Sequence, residues 1–153
     1  PIPDPAHTFR TARAEDAARI GRLAGQLGYP TTEQDVRRRQ ERIASDPLHR
    51  LLVADLPALE VAGWAHVFLH LNVQSDLRVE VAALVVDEAC RGRGVGKALM
   101  RRTEEWAAEL GCEGVSLRSN VKRDDAHRFY QGLGYSVVKT QHAFRKKLPR
   151  PGE

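Results

Sequence analysis

Residues 85–99 read Val85-Val86-Asp87-Glu88-Ala89-Cys90-Arg91-Gly92-Arg93-Gly94-Val95-Gly96-Lys97-Ala98-Leu99. The pattern predicts a β-branched strand, a short connection with three alternating glycines and interleaved cations, and then a helix. Glycines at a helix start let a ligand approach the backbone closely. The free N–H groups of the first turn, helped by the helix dipole, then form an anion site. The segment therefore predicts a site that a pyrophosphate would fit.

Two familiar phosphate-binding loops do not match this segment. A P-loop requires glycine where the chain has Arg91 and Ser or Thr where it has Ala98. A dinucleotide-binding fingerprint requires Gly or Ala at its last position, which here is Lys97 or Leu99, depending on where the motif is started. A plain turn between strand and helix explains one glycine, but not three that alternate with cations such as Arg93. We therefore interpret the segment as a binding loop of another kind.

Length and composition predict one globular domain with its own core. The chain has 153 residues, 42% hydrophobic and 29% charged, and its mean hydropathy is −0.45. The apolar run Val81–Val86 is far too short to span a membrane. We expect a soluble, cytoplasmic protein that does not contact a membrane. We interpret its two cysteines, Cys90 and Cys112, as ordinary thiols and not as disulfide or zinc ligands.

Charge is distributed unevenly along the chain. Residues 1–90 hold 10 basic and 13 acidic side chains, a net charge of −3. Residues 91–153 hold 14 basic and seven acidic side chains, a net charge of +7. Such a basic part is typical of proteins that bind anions. A nucleic acid, a nucleotide cofactor and a merely solvated surface are all compatible with the charge alone.

Hydrophobic periodicity predicts an α/β fold, a mixed β-sheet flanked by helices, with the element order βααβββαβαββ. The predicted strands are Thr8–Arg13, Leu51–Ala54, Val61–Leu71, Leu77–Val86, Gly114–Leu117, Tyr135–Lys139 and His142–Leu148. The predicted helices are Glu15–Leu27, Thr32–Ala44 capped by Thr32, Val95–Leu110, and one capped by Asp124 or Asp125 and closed by Gly134. A turn at Pro57 makes the second and third strands a hairpin. We predict one domain over residues 8–148, between a loose N-terminus (1–7) and a C-terminal tail (149–153).

Arg91, Gly94 and Gly96 resemble the Arg-x-x-Gly-x-Gly signature of the GNAT superfamily, the acetyl-coenzyme A-dependent N-acetyltransferases. The resemblance runs from Val79 to Tyr135, about a third of the chain. It includes Leu84-Val85-Val86-Asp87, Asn120 and the block Ala126-His127-Arg128-Phe129-Tyr130-Gln131-Gly132-Leu133-Gly134-Tyr135. The signature alone is weakly specific, but in a strand-loop-helix context with the second block downstream it becomes strongly specific.

The resemblance implies acetyl-coenzyme A as cosubstrate and no metal. The backbone N–H groups of residues 92–97 would hold the pyrophosphate, and main-chain groups of Leu84 and Val86 would contact the pantetheine amides. The N–H near Leu84 would also polarise the thioester carbonyl. The cofactor-binding residues that follow are Leu84, Val86, Arg91, Gly92, Arg93, Gly94, Gly96, Lys97 and Asn120. Asn is also simply a good loop residue, and solvated cations are the alternative for Arg93, Lys97, Lys122, Arg123 and Arg128 as partners of the 3′-phosphate.

Glu80 is the candidate general base. Amine acetylation needs an uncharged nitrogen, and a base, acting directly or through water, removes the proton of the ammonium. Strand alternation predicts that Glu80 shares a face with Ala82, Leu84 and Val86, and a carboxylate is conspicuous in this mostly apolar strand. The alternative is a solvated carboxylate near a strand end or one paired with an arginine such as Arg78.

Tyr130 is the candidate acid. The resemblance implies that it lies beside the coenzyme A sulfur and protonates the leaving thiolate, as a phenol can. The alternative is core packing, because Tyr130 also fits the apolar stripe of its helix. His66 and His70 share a strand face with Trp64 and Phe68, so they either line a substrate pocket or are ordinary packed or surface histidines.

The sequence therefore predicts an N-acetyltransferase that moves acetyl from acetyl-coenzyme A directly to an amine acceptor in a ternary complex. Direct transfer is favoured because no nucleophile motif is visible, since Cys90 has no nearby histidine partner in the sequence. The resemblance also implies a ternary complex. One alternative is a non-catalytic coenzyme A-binding regulatory domain, and another is a nucleic-acid-binding domain; we expect no nucleic-acid partner. The resemblance implies that residues Leu27–Asp46 form the acceptor wall and that a homodimer can form. The acceptor itself stays open among small molecules and peptides.

Overall fold

A computed structural model describes residues 8–56 and 60–152. Its strands are β1 (Thr8–Thr11), β2 (His49–Leu56), β3 (Glu60–His70), β4 (Arg78–Val86) and β5 (Gly114–Leu117). Its α-helices are α1 (Ala17–Gln26), α2 (Glu33–Ala44), α3 (Val95–Glu109) and α4 (Asp124–Gly132). The loose N-terminus predicted for residues 1–7 and the turn predicted at Pro57 lie outside the described residues. None of the helices within the described ranges has the length and apolar character needed to cross a membrane.

The described chain forms two compact units. The first runs to Arg118 and holds the sheet with α1, α2 and α3, and the second begins at Ser119 and holds α4. The prediction of one domain over residues 8–148 stays a prediction.

The sheet of the first unit is mixed, as predicted, with strand order β1-β2-β3-β4-β5. Antiparallel pairs join β1 to β2, β2 to β3 and β3 to β4, and β5 lies parallel to β4. Short connections suffice for antiparallel neighbours, whereas the parallel pair needs the crossover that α3 provides.

Helices α1 and α2 pack on one face of this sheet. Buried side chains of α1, among them Ile20 and Leu23, meet a core that includes Val53, Trp64 and Val85. The Trp64 indole N–H donates to the Ile20 carbonyl at 3.2 Å. This interaction satisfies the one polar atom of a buried aromatic side chain and ties α1 to β3.

Helix α2 starts where the sequence predicts. Thr32 is its N-cap, and the Thr32 hydroxyl accepts a hydrogen bond from the Asp35 N–H at 3.1 Å. The basic run Arg37–Arg39 is exposed, as predicted. The start of α2 therefore follows from a local sequence signal.

Helix α3 lies on the opposite face, where Gly63 allows a close approach. A Cβ at Gly63 would meet the Val85 carbonyl oxygen at 2.8 Å and the Val95 Cγ1 at 3.2 Å. Because successive side chains of a strand point to opposite faces, this side of Gly63 is the one that Trp64 does not occupy. The first residue of α3, which is fully buried, is therefore seated directly on β3.

The order of elements is confirmed from β1 to α4, but the last two predicted strands are wrong. The described residues after α4, up to Gly152, form neither strand nor helix. The apolar residues on which those strands were predicted stay in solvent, with exposures of 71% for Val137, 86% for Val138, 95% for Phe144 and 71% for Leu148. An alternating pattern yields a strand only when one face is buried and the backbone finds a ladder partner, and neither condition holds here.

Two glycines of α1 provide a test of how it packs. A Cβ at Gly21 would meet the Thr31 carbonyl oxygen at 2.8 Å, whereas a Cβ at Gly25 would meet nothing within 4 Å. Gly21→Ala should therefore destabilise the protein by about 1–3 kcal/mol through overpacking. Gly25→Ala should stabilise it by about 0.5–1 kcal/mol through helix propensity. Urea unfolding of the two variants measures both effects, and equal effects would contradict the packing of α1 against the α1–α2 connection.

Candidate active site

A β-bulge at Ala82 changes the face on which the side chains of β4 lie. His66 pairs with Ala83 but Val67 pairs with Val81, so Ala82 has no partner on β3. Glu80, opposite Phe68, therefore points to the face that carries α1 and α2. The prediction that it shares a face with the residues 82, 84 and 86 is wrong, because one inserted residue reverses the alternation.

The side chains after the bulge confirm this reversal. Trp64 pairs with Val85, and both belong to the core beneath α1 and α2. Val86 packs instead with Leu56, Ala62 and Cys90. The side chain of Leu84 lies on this second face too, because residues 84 and 86 alternate with Val85.

The main chain of β4 is left open beyond the bulge. Within the described ranges, β5 pairs only with Arg78–Val81. The Asp87 N–H donates to the Ala62 carbonyl of β3 at 2.8 Å. Since N–H groups alternate in direction along a strand, those of Leu84 and Val86 point away from β3, to the side that β5 no longer covers. The Val86 carbonyl also faces this side and accepts a 3.4 Å hydrogen bond from the Arg91 Nε.

The glycine loop after β4 leads into a helix start with no side-chain cap. Gly92 and Gly94 both have φ of +79°, and a Cβ at either would meet nothing within 4 Å. Gly94 is the N-cap of α3, without a side-chain cap hydrogen bond. The first N–H groups of a helix have no partner within it, so those of residues 95–97 can bind a ligand, and the exposed side chains of Arg93 and Lys97 flank them. These donors and cations fit a pyrophosphate.

The short turn between β4 and this loop is fastened to α1. Arg19 of α1 forms an ion pair with Asp87, and its Nε donates to the Val61 carbonyl at 2.9 Å. Gln26 accepts from the Glu88 N–H at 3.0 Å. The hydrogen bond from the Ala89 N–H, together with Arg19, lowers the pKa of Asp87 despite its burial. Arg19 could not be identified from the sequence, because its partner is 68 residues away.

Glu80 lies between two basic groups. Its Oε1 is 3.5 Å from the Arg118 Nε and its Oε2 is 3.9 Å from the His70 Nδ1, and its side chain is 14% exposed. Arg78, which the sequence suggested as a partner of Glu80, instead has its Nη1 3.9 Å from the Oε1 of Glu113. Arg118 was missed because the parallel register, which pairs Glu80 with Ser116, cannot be read from sequence.

Aromatic rings line the sheet face beside Glu80. The His49 Nδ1 and the His66 Nε2 are 2.9 Å apart, and Phe68 stacks on His49 with ring centroids 5.2 Å apart. The Phe68 ring centroid is 6.1 Å from that of His70. Burial, with the charge of His49, lowers the pKa of His66 to about 4, so its ring is neutral at neutral pH. The two histidines of β3 thus share one face with Glu80.

In the second unit, Tyr130 lies on α4 among aromatic rings. It makes edge contacts with Phe129 and Tyr135 at centroid distances of 5.0 and 6.1 Å. Burial raises the pKa of Tyr130, against the opposing charge of Arg123. Its phenol therefore keeps its proton at neutral pH. Helix α4 starts after Arg123, without a side-chain cap, so the predicted cap Asp124 is instead the first helical residue.

Asn120 organises the turn before α4. Its Oδ1 accepts the Lys122 N–H at 2.9 Å. Its carbonyl accepts the Arg123 N–H at 3.0 Å and lies 2.8 Å from the His127 Nε2. The side-chain oxygen thus serves the loop, as the alternative interpretation expected, and a cofactor contact of Asn120 stays a prediction.

A sequence model described as "Acetyltransferase (GNAT) family" matches residues 14–135. The chain is 40% identical over 69 residues to the uncharacterized N-acetyltransferase YhdJ of Bacillus subtilis, covering 44% of this chain and 47% of that protein. It is 40% identical over 78 residues to the aminoalkylphosphonate N-acetyltransferase of Salmonella typhimurium, covering 50% of each. The matches thus span about half the length of these curated relatives.

The fold is similar to that of solved structures. A crystal structure titled as a transcriptional regulator from Bacillus halodurans C-125 superposes with a TM-score of 0.81 at 26% identity. The match covers 92% of this chain and 99% of that one. The two chains thus share the arrangement of helices and strands over nearly their whole length.

The Asp87 ion pair predicts a specific dependence of stability on pH. The pKa of Asp87 is lowered in the folded state. Its contribution is therefore present above the unfolded pKa of about 3.9 and is lost as the pH falls through the folded value. At pH 7, Asp87→Asn should cost about 1–3 kcal/mol. Urea unfolding should show this cost unchanged above about pH 5 and shrinking as the pH falls below about 4, and a cost independent of pH would contradict the assignment.

Proposed function

Since this chain belongs to the acetyltransferase (GNAT) family, we propose that it is an N-acetyltransferase that transfers acetyl from acetyl-coenzyme A directly to an amine in a ternary complex. One observation carries the proposal: the open edge of β4 at Leu84 and Val86 is followed, after a short turn and the glycine loop, by the uncapped start of α3. An extended ligand with amides at one end and phosphates at the other would match this sequence of donors. The side chain of Glu80 lies on the face of β4 opposite to the side chains of Leu84 and Val86.

The cofactor would be held mainly by backbone groups. Acetyl-coenzyme A supplies the activated acetyl group. The N–H groups of residues 92–97 would bind its pyrophosphate, with the cations Arg93 and Lys97 beside them. The outward main-chain groups of Leu84 and Val86 would bind the pantetheine amides, and the Leu84 N–H would donate to the thioester carbonyl oxygen. Arg91 would brace the loop through its bond to the Val86 carbonyl.

Two side chains would move protons. Glu80 would accept a proton from the ammonium of the acceptor, directly or through water, and the freed nitrogen would attack the carbonyl carbon. As the C–N bond forms and the C–S bond breaks, the Tyr130 phenol would give its proton to the sulfur. The second proton that the nitrogen loses as the amide forms would restore the phenol through solvent. The raised pKa of Tyr130 supports its role as proton donor because the proton is present at neutral pH.

The cysteines support direct transfer over a cysteine-bound intermediate. Cys90 is 1% exposed, and burial raises the pKa of Cys112, which disfavours the reactive thiolate. The chain has no other cysteine.

Among the described residues, no group of three or more His, Cys, Asp or Glu side chains could hold a metal ion.

The acceptor would be an amine that reaches the aromatic face beside Glu80. Residues 27–46 would form its outer wall, and Phe68 with the neighbouring histidines would form its floor. The similarity to the aminoalkylphosphonate N-acetyltransferase supports small phosphonate-bearing amines as the first compounds to assay. Amino acids, polyamines, aminoglycosides and peptide N-termini complete the panel. A cytoplasmic location and a homodimer remain expectations from the sequence.

Turnover tests the catalytic roles. Purified protein should release thiol from acetyl-coenzyme A with at least one amine of the panel. Glu80→Gln should then lower kcat by roughly 10²- to 10⁴-fold, and Tyr130→Phe by about tenfold or more, because each loses a proton transfer. Glu105→Gln, a carboxylate in an exposed ion pair on α3, is the control and should keep kcat. Absence of turnover with retained cofactor binding would favour the regulatory-domain alternative.

Calorimetric titration with acetyl-coenzyme A tests the loop. Gly94→Glu puts a carboxylate where the phosphates would bind and should weaken binding by at least about tenfold. Gly111→Glu is the matched control, because Gly111 has φ of +75° with equally open space and follows the other end of α3. It shares the backbone strain but should keep the affinity. Equal losses in both variants would attribute the effect to strain and contradict the binding loop.

A further inference from the structure

We propose that His70 is a positioning residue for Glu80, held by Asn72 in the tautomer that carries its proton on Nδ1. The inference rests on the proposed function, in which Glu80 accepts the proton of the amine. It adds a chain of hydrogen-bonding groups, from Ser75 through Asn72 and His70 to Glu80, which orients the base. All four residues belong to β3, β4 and the connection between them.

The orientation of the Asn72 amide is fixed by Ser75. The Asn72 Oδ1 accepts the Ser75 N–H and the Ser75 hydroxyl, each at 2.8 Å. A backbone N–H can only donate, so the atom that faces it must be the amide oxygen. The other end of the amide, Nδ2, is a donor and faces the His70 Nε2 at 3.5 Å.

This contact determines the tautomer of His70. A neutral imidazole has one donor nitrogen and one acceptor nitrogen. Because the Asn72 Nδ2 donates, the His70 Nε2 must accept, and the ring proton is left on Nδ1. Free histidine in water favours the opposite tautomer, so the assignment is specific to this connection.

The His70 Nδ1 faces the Glu80 carboxylate. The distance to the Glu80 Oε2 is 3.9 Å, and Nδ1 is a solvent-inaccessible atom without a hydrogen-bond partner among the described residues. An unpaired buried donor is costly, so a small rotation of either side chain that closes the gap is favoured. Catalytic hydrogen bonds are commonly long in the free enzyme and tighten when the substrate binds.

The two neighbours of Glu80 differ in how firmly they hold it. The side chain of Arg118 is 80% exposed, whereas that of His70 is 28% exposed and is fixed from behind by Asn72. An exposed ion pair constrains a carboxylate weakly. His70 is therefore the group that sets the direction of the Oε2 lone pairs, and Arg118 supplies mainly charge.

Kinetics test the positioning role. His70→Ala should lower kcat by about ten- to a hundredfold, with the KM for the amine changed by less than about threefold, because orientation and not binding is lost. His70→Asn puts an amide N–H near the position of Nδ1 and should recover most of kcat. His142→Ala, an exposed histidine of the second unit, is the control and should match the wild type. An unchanged kcat in His70→Ala, alongside a large loss in Glu80→Gln, would overturn the proposal.

Nitrogen-15 NMR of the histidine rings tests the same proposal without turnover. His70 should show a protonated Nδ1 and an unprotonated Nε2 at neutral pH. Asn72→Leu should shift the ring towards the Nε2–H tautomer, and Glu80→Gln should move the Nδ1 resonance. A wild-type Nε2–H tautomer, or an Nδ1 resonance that ignores Glu80→Gln, would overturn the assignment even if no amine is acetylated. Missing turnover with the expected spectra would instead count against the proposed function and leave the His70–Glu80 pair in place.

Discussion

The extra residue at Ala82 and the last β5 pairing at Val81 coincide on β4, and the arrangement of the candidate site depends on both. The bulge sends the side chain of Glu80 to the face of α1 and α2, and sends those of Leu84 and Val86 to the other. The end of the β5 ladder frees one edge of the main chain over the same residues. A regular strand paired along its whole length would have no free edge. The side chain of Glu80 would then lie on the same face as those of Leu84 and Val86.

The open edge of β4 needs support from other contacts, because main chain without a neighbouring strand on that side is not held in a fixed direction. Arg19 supplies part of it, joining α1 to both the Val61 carbonyl and the Asp87 carboxylate. Gly63 supplies another part by letting the first residue of α3 rest on β3. Helix α1 and the loop that would hold the phosphates are therefore both fixed to the middle of the sheet. The proposed site rests on rigid elements where positioning matters most.

Local signals in the sequence predicted much of the fold. The Thr32 cap, the bounds of β5 and the glycine loop before α3 were all predicted, because each follows from residues within one turn or strand. The bulge was not predicted, since Ala82 looks like any apolar strand residue. Arg118 and Arg19 were missed because their partners depend on sheet register and on contacts distant in sequence.

The strands predicted after Gly134 failed for a related reason. Alternation in that segment is a local signal, but a strand is stabilised by burial and by a partner, which the described chain does not provide there. His70 was noticed only as one of two histidines on a strand. Its tautomer became assignable through Asn72 and Ser75, which the sequence places in an ordinary loop.

Part of the positive charge of residues 91–153 is engaged in ion pairs, and part of it is exposed beside the glycine loop. Several of its cations are already engaged, for example Arg128 with Asp125 and Arg102 with Glu105. Arg93 and Lys97 beside the loop are exposed. These two cations are available to the anionic ligand that the proposed function places at the start of α3.

Residue-resolved amide hydrogen exchange on β4, with and without acetyl-coenzyme A, tests the central claim most directly. The N–H groups of Leu84 and Val86 point to the open side, whereas those of Ala83 and Val85 point to β3 and serve as controls within the same strand. We expect the cofactor to slow exchange at Leu84 and Val86 while Ala83 and Val85 keep their rates. Unchanged exchange at Leu84 and Val86 in the presence of bound cofactor would contradict the account.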